Sequence, residues 1–139
     1  MKQSKLLKVM GIIMTIFGFL STLSNIFSVA LVMLSSKSEL NSIYTSYTNM
    51  YISSIFAIAL SIILTIIGIM GIINYNKPEK AKICIIAGLI HVILLTISNI
   101  FTIFATNGSL TAIIVFSIIS YIIPILYLVG AFQLKKMID

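Results

Sequence analysis

Asn74-Tyr75-Asn76-Lys77-Pro78-Glu79-Lys80-Ala81-Lys82 is a basic break between two apolar runs, residues 51–73 and 83–106. Each run is longer than the roughly 20 residues that carry an α-helix across a bilayer. Pro78 belongs just beyond the end of the first run or in the first turn of the second, because proline cannot continue a helix but fits its start. The stretch reads as a transmembrane hairpin with a short polar turn. Two further apolar runs flank it, residues 6–34 before and 110–133 after. Connections this short make consecutive helices antiparallel neighbours. The expected fold is therefore all-α membrane: four transmembrane helices in an up-down-up-down antiparallel bundle. It forms a single membrane domain over residues 1–139, with an outer loop at 35–50 and a cytoplasmic turn at 74–82.

Composition leads to the same class. Of 139 residues, 60% are hydrophobic and 9% charged, with a mean hydropathy of +1.19. A soluble domain carries about a quarter charged residues, so the charge here is too sparse to coat a water-facing surface. The net charge of +6 does not point to nucleic acid, because the cations are not interleaved with stacking aromatics. All are lysines, at the ends of apolar runs. With the high Ile and Asn content, the absence of Arg suggests an AT-rich genome. The basic start before residue 6 resembles a signal peptide, but the apolar run outlasts an h-region of roughly 7–15 residues and no small-residue cleavage site follows cleanly. An uncleaved first helix is expected. Cys84 is the sole cysteine. It excludes an internal disulfide, and it reads as a small apolar packing residue rather than a lipidation site.

Lysine distribution orients the bundle. Lys2, Lys5 and Lys8 precede the first run, Lys77, Lys80 and Lys82 fill the central turn, and Lys135 and Lys136 follow the last run. With four spans these segments share a side, eight lysines against Lys37 alone. The positive-inside rule places them, and both termini, in the cytoplasm of a plasma-membrane protein. The same lysines can meet anionic lipid headgroups, although a role in topology alone explains them. On the opposite side, Tyr44, Tyr47 and Tyr51 fall at helical spacing and suit an interfacial aromatic belt. Asn107-Gly108-Ser109 reads as a tight turn; it also matches a glycosylation acceptor, a tripeptide common by chance.

In lipid, helices associate through small residues and a few hydrogen bonds. All four runs carry such residues in 3-4-3-4 alternation: Gly11, Met14, Gly18, Ser21, Asn25, Ser28; Ser54, Ala57, Ser61, Leu64, Gly68, Gly71; Cys84, Gly88, His91, Leu95, Ser98, Thr102; and Ser117, Ser120, Pro124, Tyr127, Ala131. The mean spacing of about 3.5 is that of left-handed coiled packing. These stripes are expected to face inward, as packing seams or as a polar track for a ligand or ion. Gly68 and Gly71 lie at the depth of Ala87 and Gly88, so the hairpin is expected to close tightest beside its turn. Asn25 and Asn99 lie at matching depth and are expected to pair, an interaction of roughly 0.6–2 kcal/mol. His91 lacks the titratable partners of a proton relay and the companions of a metal site. It reads as a neutral packing histidine bonded to Thr65 or Tyr127. Pro124 frees the Ser120 carbonyl and kinks the fourth helix, with Ser117, Ser120 or Tyr121 available to satisfy the freed group.

The Lys8…Gly11…Gly18 start, the Gly68-Ile69-Met70-Gly71 end of the second run and the Lys77-Pro78…Lys82 turn carry a resemblance, together with Ala87-Gly88 and Tyr127-Leu128-Val129-Gly130-Ala131…Lys135-Lys136. The chain resembles an uncharacterised family of small four-helix integral membrane proteins of low-G+C Gram-positive bacteria, grouped as a domain of unknown function. The resemblance covers most of the chain, implies a four-span fold and lends no activity. The ground plan is also similar to that of tetraspanin-like and claudin-like proteins, but the outer loops are short and lack paired cysteines. Small multidrug transporters share the size, yet depend on an acidic residue in their first span; residues 6–34 contain none.

No nucleophile–base pair, metal-ligand spacing or phosphate loop is present, so neither an enzyme nor a cofactor is expected. The leading reading is a non-enzymatic accessory or interaction protein: a subunit, immunity-type or scaffold protein. Its partners would be the bilayer and a membrane protein or further copies of itself, with no nucleic acid. The alternative is a small oligomeric pore or transporter, holin-like or a solute channel, motivated by the hydroxyl, amide and imidazole groups of the seams. Reporter fusions test the orientation. A fusion at Ser42 reports from outside and fusions at Lys80 and Asp139 from inside; an external signal at Lys80 overturns it.

Overall fold

The computed structural model describes residues 3–34, 47–106 and 109–137 and is all-helical. The helices are α1 (Lys5–Leu34), α2 (Tyr47–Asn74), α3 (Ala81–Ala105) and α4 (Leu110–Lys135), with a 3₁₀ turn at Pro78–Lys80. Each of the four α-helices is long and apolar enough to cross a membrane. α2 begins at Tyr47, inside the stretch read as outer loop, because Tyr47, Thr48, Asn49 and Met50 continue the helix of the apolar run rather than break it. The rest of that loop, Tyr44 of the aromatic belt, the side chain of Tyr47 and Asn107-Gly108 lie outside the described residues.

Pro78 opens the second arm of the hairpin rather than closing the first. It occupies the start of the 3₁₀ turn, and the Ala81 N–H donates back to its carbonyl as α3 begins. The first arm ends on Asn74, whose side-chain amide donates to the Met70 carbonyl at 2.8 Å. That bond turns the amide back onto its own helix, so the side chain is satisfied at the helix end.

The tightest contact in the bundle joins α1 to α2, and it is made of backbone. A Cβ at Gly11 would meet the Gly68 carbonyl oxygen at 2.8 Å, and a Cβ at Gly68 would meet the Thr15 amide nitrogen at 2.6 Å and the Gly11 carbonyl oxygen at 2.7 Å. Two turns beyond Gly11 on α1, a Cβ at Gly18 would run into the Thr65 hydroxyl and, at 2.7 Å, the Thr65 amide nitrogen. Only hydrogen fits at these three positions. Hydroxyls fill the space between them. Thr15 and Thr22 donate to the Gly11 and Gly18 carbonyls, each at 2.8 Å, and Thr22 Oγ1 also lies 3.0 Å from Ser61 Oγ across the seam. Threonine bonding back to its own helix presents a methyl and a satisfied oxygen, so it packs against the neighbouring backbone without stranding a polar group.

Gly71 and Gly88 do not meet each other across the hairpin. The ring of Tyr127, from α4, intervenes. A Cβ at Gly71 would meet Tyr127 Cε2 at 2.7 Å, and a Cβ at Gly88 would meet Tyr127 Cδ1 at 3.2 Å and Leu128 Cδ2 at 2.7 Å. Gly71 and Gly88 therefore form the two walls of a slot for an aromatic ring, and Gly68 belongs to the α1 seam. Tyr127 is fully buried, together with Leu7, Met14, Cys84, Ala81, Ala131 and Leu134. These residues form one cluster with Ile67, and Tyr75 and Met137 pack against it.

The first turn of α1 is pinned into the same cluster. The Ser4 hydroxyl accepts from the Leu7 N–H at 3.2 Å, the N-cap geometry, and donates to the Gly130 carbonyl at 2.8 Å. The Ser4 N–H donates to the Tyr75 carbonyl at 2.9 Å. A Cβ at Gly130 would meet the Leu7 amide nitrogen at 2.7 Å, so this approach too requires glycine. Lys8 Nζ lies 4.8 Å from the centroid of the Tyr75 ring, a cation–π distance. Lys5, Lys8, Lys77, Lys80, Lys82, Lys135 and Lys136 are exposed around this basic end.

The outward faces are apolar. Phe27, Ile55, Phe104, Phe116 and Ile118 are each more than 60% exposed, which only a lipid surface tolerates over such an area. Replacing Gly68 by Leu is expected to lower stability in detergent by more than the roughly 1–3 kcal/mol of ordinary overpacking, since backbone rather than side chain must move. Tyr127→Phe is expected to be neutral or stabilising, because it removes a buried hydroxyl whose one neighbouring partner is the weakly bonding Cys84 thiol. Thermal unfolding followed by circular dichroism measures both.

Candidate functional site

A chamber occupies the middle of the bundle, lined by all four helices. α1 contributes Phe17, Ser21 and Asn25; α2 contributes Ala57, Leu60, Ser61 and Leu64; α3 contributes His91, Leu95 and Ser98; α4 contributes Ser120, Ile123 and Pro124. Its volume is ≈ 310 Å³, at the lower bound of small-molecule pockets. His91 lies ten residues into α3 and Leu64 ten residues before the end of α2. At 1.5 Å per residue the chamber therefore begins about 15 Å from the basic end, near the centre of a 30 Å hydrocarbon core, and extends away from the lysines.

A second cavity, ≈ 450 Å³, lies farther along, between α3 and α4 only. Asn99, Thr102, Ser109, Ser117 and Phe116 are among its walls, and it shares Leu95 and Ser120 with the chamber. The two volumes are therefore adjoining. Toward the basic end the chamber stops at the buried cluster of Met14, Ile67, Cys84 and Tyr127.

Backbone constraints set this division. Glycines let the helices approach closely near the basic end. Beyond Gly18 on α1 and Gly88 on α3 no glycine remains in those helices, and the side chains of Leu60, Leu64, Leu95 and Ile123 hold the helices apart. Pro124 is buried on the chamber wall. The Ser120 hydroxyl donates to the Ser117 carbonyl at 2.6 Å, and the Tyr121 hydroxyl crosses to Thr96 Oγ1 at 2.8 Å. Neither caps the Ser120 carbonyl that the proline frees.

Among the described residues, the buried His91 Nδ1 and Asn99 Nδ2 have no hydrogen-bond partner, and the Tyr127 hydroxyl has no oxygen or nitrogen partner. The expected bond from His91 to Thr65 or Tyr127 is not made: the Thr65 hydroxyl is turned back to the Ser61 carbonyl of its own helix at 2.9 Å, and the Tyr127 hydroxyl sits in its slot beside the Cys84 thiol, a weak partner. The expected Asn25–Asn99 pair is absent as well. Asn25 lines the four-helix chamber and Asn99 the α3–α4 cavity; matching depth did not place them on facing sides.

The chain places its other predicted groups as follows. Gly18, Gly68, Gly71 and Gly88 are spacers for backbone or ring, as described above. Lys77, Lys80, Lys82, Lys135 and Lys136 are solvent-exposed and away from both cavities. The inward stripe of α1 runs from Gly11 to Asn25 and ends before Ser28, which is exposed and bonded to the Ser24 carbonyl. Among the described residues no three His, Cys, Asp or Glu side chains gather in a metal-binding group.

Sequence reasoning did not single out Ser4, Thr15 or Thr22; it named Thr65 only as a partner for His91 and Gly130 only within the closing 127–131 stretch, not as packing residues. Ser4 carried a usable signal, a capping residue immediately before an apolar helix. Gly130 lies one position off the 3-4 stripe, and only its contact with Leu7 reveals it. Comparison of the chain with protein-family models, with curated proteins and with solved structures gave no match in any of the three.

Cysteine labelling tests the division. In a Cys84→Ala background, Ser98→Cys and Ser61→Cys are expected to react with a small neutral maleimide in membranes, and Met14→Cys to stay unreactive. Equal reaction at all three removes the blind floor of the chamber.

Proposed function

We propose that the protein is a plasma-membrane protein with both termini and the 74–82 turn in the cytoplasm, and that it works as a non-enzymatic accessory or interaction protein through its spans. The up-down-up-down arrangement is supported by register. Gly11 meets Gly68 and Ile72, whereas Gly18 meets Thr65 and Ser61, so partners descend on α2 as residues ascend on α1. The orientation is supported by the exposed lysines at one end. Kinship with the small four-helix membrane proteins of low-G+C Gram-positive bacteria belongs to the same proposal and rests on the Lys77-Pro78 turn and its flanking glycines.

The observation that carries binding rather than conduction is the blind end of the chamber. Its polar wall stops at a cluster in which Met14 and Tyr127 have no exposed surface and Ile67 has 4%. A cavity of this form holds a ligand or a partner's side chain; it does not pass one. The hydroxyl, amide and imidazole groups then give the chamber selectivity, since a few placed polar groups in an apolar cavity fix what is bound. The pore or transporter reading is favoured by one feature, the polar line from Thr102 and Asn99 through Ser98 to His91 on α3, which runs to mid-depth.

Proteoliposomes separate the two. Under the interaction reading, potassium and carboxyfluorescein leak no faster from vesicles carrying the protein at high load than from empty ones, and crosslinking in native membranes gives a defined adduct with a partner or a second copy. Leak that scales with protein load, or a free monomer alone after crosslinking, overturns this reading.

A further inference from the structure

The chamber and the α3–α4 cavity together have the chemistry of a lipid site. The larger cavity is walled only by α3 and α4, and its rim residues Ala112 and Phe116 are exposed. With its rim exposed on α4, the cavity is accessible between two helices, the side on which a membrane-spanning bundle meets lipid, and it shares Leu95 and Ser120 with the chamber. An occupant arriving by this route comes from the bilayer.

The walls define its chemistry. Neither lining contains an acid, a lysine or an arginine. A cation there would lack a counter-charge and an anion a donor of opposite sign, and both are costly at this depth. The walls do hold unmet hydrogen-bonding capacity. His91 is 97% buried, being 3% exposed, and its Nδ1 has no partner; Asn99 Nδ2 has none either. Buried polar atoms of this kind are normally satisfied, and an unsatisfied one calls for an unseen partner. His91 and Asn99 are eight residues apart on α3, about 12 Å along the axis, with apolar Leu95 between them. The matching occupant is uncharged, mostly apolar, and carries hydroxyl or carbonyl groups separated by an apolar stretch.

We propose that the α3–α4 cavity and the chamber bind an uncharged, hydroxyl- and carbonyl-bearing membrane lipid, of which diacylglycerol is the simplest example. It enters sideways between α3 and α4, with Asn99 donating to a carbonyl and His91 Nδ1 bonding to a hydroxyl or carbonyl farther in. The lipid is the occupant of the blind chamber, so this proposal rests on the binding reading above and names its ligand.

The test uses the full chain in phosphatidylglycerol vesicles with a photoreactive diacylglycerol, and in parallel a phosphatidylglycerol bearing the same photoreactive chain. The diacylglycerol probe is expected to label peptides within residues 91–124, to be displaced by unlabelled diacylglycerol, and to label the His91→Leu/Asn99→Leu double variant about tenfold less. Asn99→Gln, which keeps the amide, is expected to retain most of the labelling. Circular dichroism of each variant establishes that it is folded. Replacing Leu95 by Phe gives a second test with every polar group in place, by narrowing the junction, and is expected to reduce labelling of the chamber peptides selectively. Equal labelling by the anionic probe, labelling indifferent to His91 and Asn99 in folded protein, or labelling confined to the outward faces each overturns the lipid site. Vesicle leak with specific labelling intact overturns the blind-chamber reading and leaves the lipid site standing. Tight vesicles without specific labelling do the reverse.

Discussion

The backbone-to-backbone contact of α1 with α2 at Gly11, Gly18 and Gly68 is the constraint on which the rest of the bundle depends. Between helices in lipid there is no gain from hiding apolar surface from water, so association relies on dispersion at close range and on a few hydrogen bonds. Dispersion falls steeply once atoms separate by even half an ångström. Where a Cβ would sit within 3 Å of a neighbouring backbone, glycine is the condition for contact. Thr15, Thr22 and Thr65 add hydroxyls that are satisfied within their own helices, so the seam gains contact area without leaving a polar atom stranded.

That constraint divides the molecule. Near the lysines, the glycines admit neighbouring backbone and the Tyr127 ring, and the interior is closed. Farther out the walls are Leu, Ile, Ser and Asn side chains, the helices stand apart, and cavities remain. The buried atoms without partners include His91 Nδ1 and Asn99 Nδ2 on the open side. In a packed interior they would be a straightforward cost; on a cavity wall they are capacity awaiting a partner. Packing in one half and binding in the other are thus two results of where glycine occurs along the helices.

Much of this was legible in the residues. Apolar run length marks the four helices, and the 3-4 alternation picks out the face that is buried or half-buried from Gly11 to Asn25, from Ser61 to Gly71, from Cys84 to Thr102 and from Ser120 to Ala131. Period reports which face a residue occupies, not which neighbour it meets. The roles of Gly71 and Gly88 were therefore misread: both are on the inner face, but a ring from a fourth helix, not the other arm of the hairpin, fills the space between them. Asn25 and Asn99 show the same gap between depth and azimuth. Depth follows from counting residues, whereas azimuth depends on how each helix is rotated against its neighbours. Ser4 and Gly130 illustrate a third kind of contact, one joining parts of the chain 126 residues apart, which no local pattern encodes.

The Ser4 bonds also bear on how the protein is made. The hydroxyl that caps α1 donates to a carbonyl in the last turns of α4, while the same residue's N–H meets the turn between α2 and α3. Translation supplies Ser4 first and Gly130 among the last of the spans. The Ser4 hydroxyl can cap α1 from the start, whereas the carbonyl to which it donates exists only once the fourth helix has been made. The bond that closes this end of the bundle therefore becomes available only at the end of synthesis of the spans.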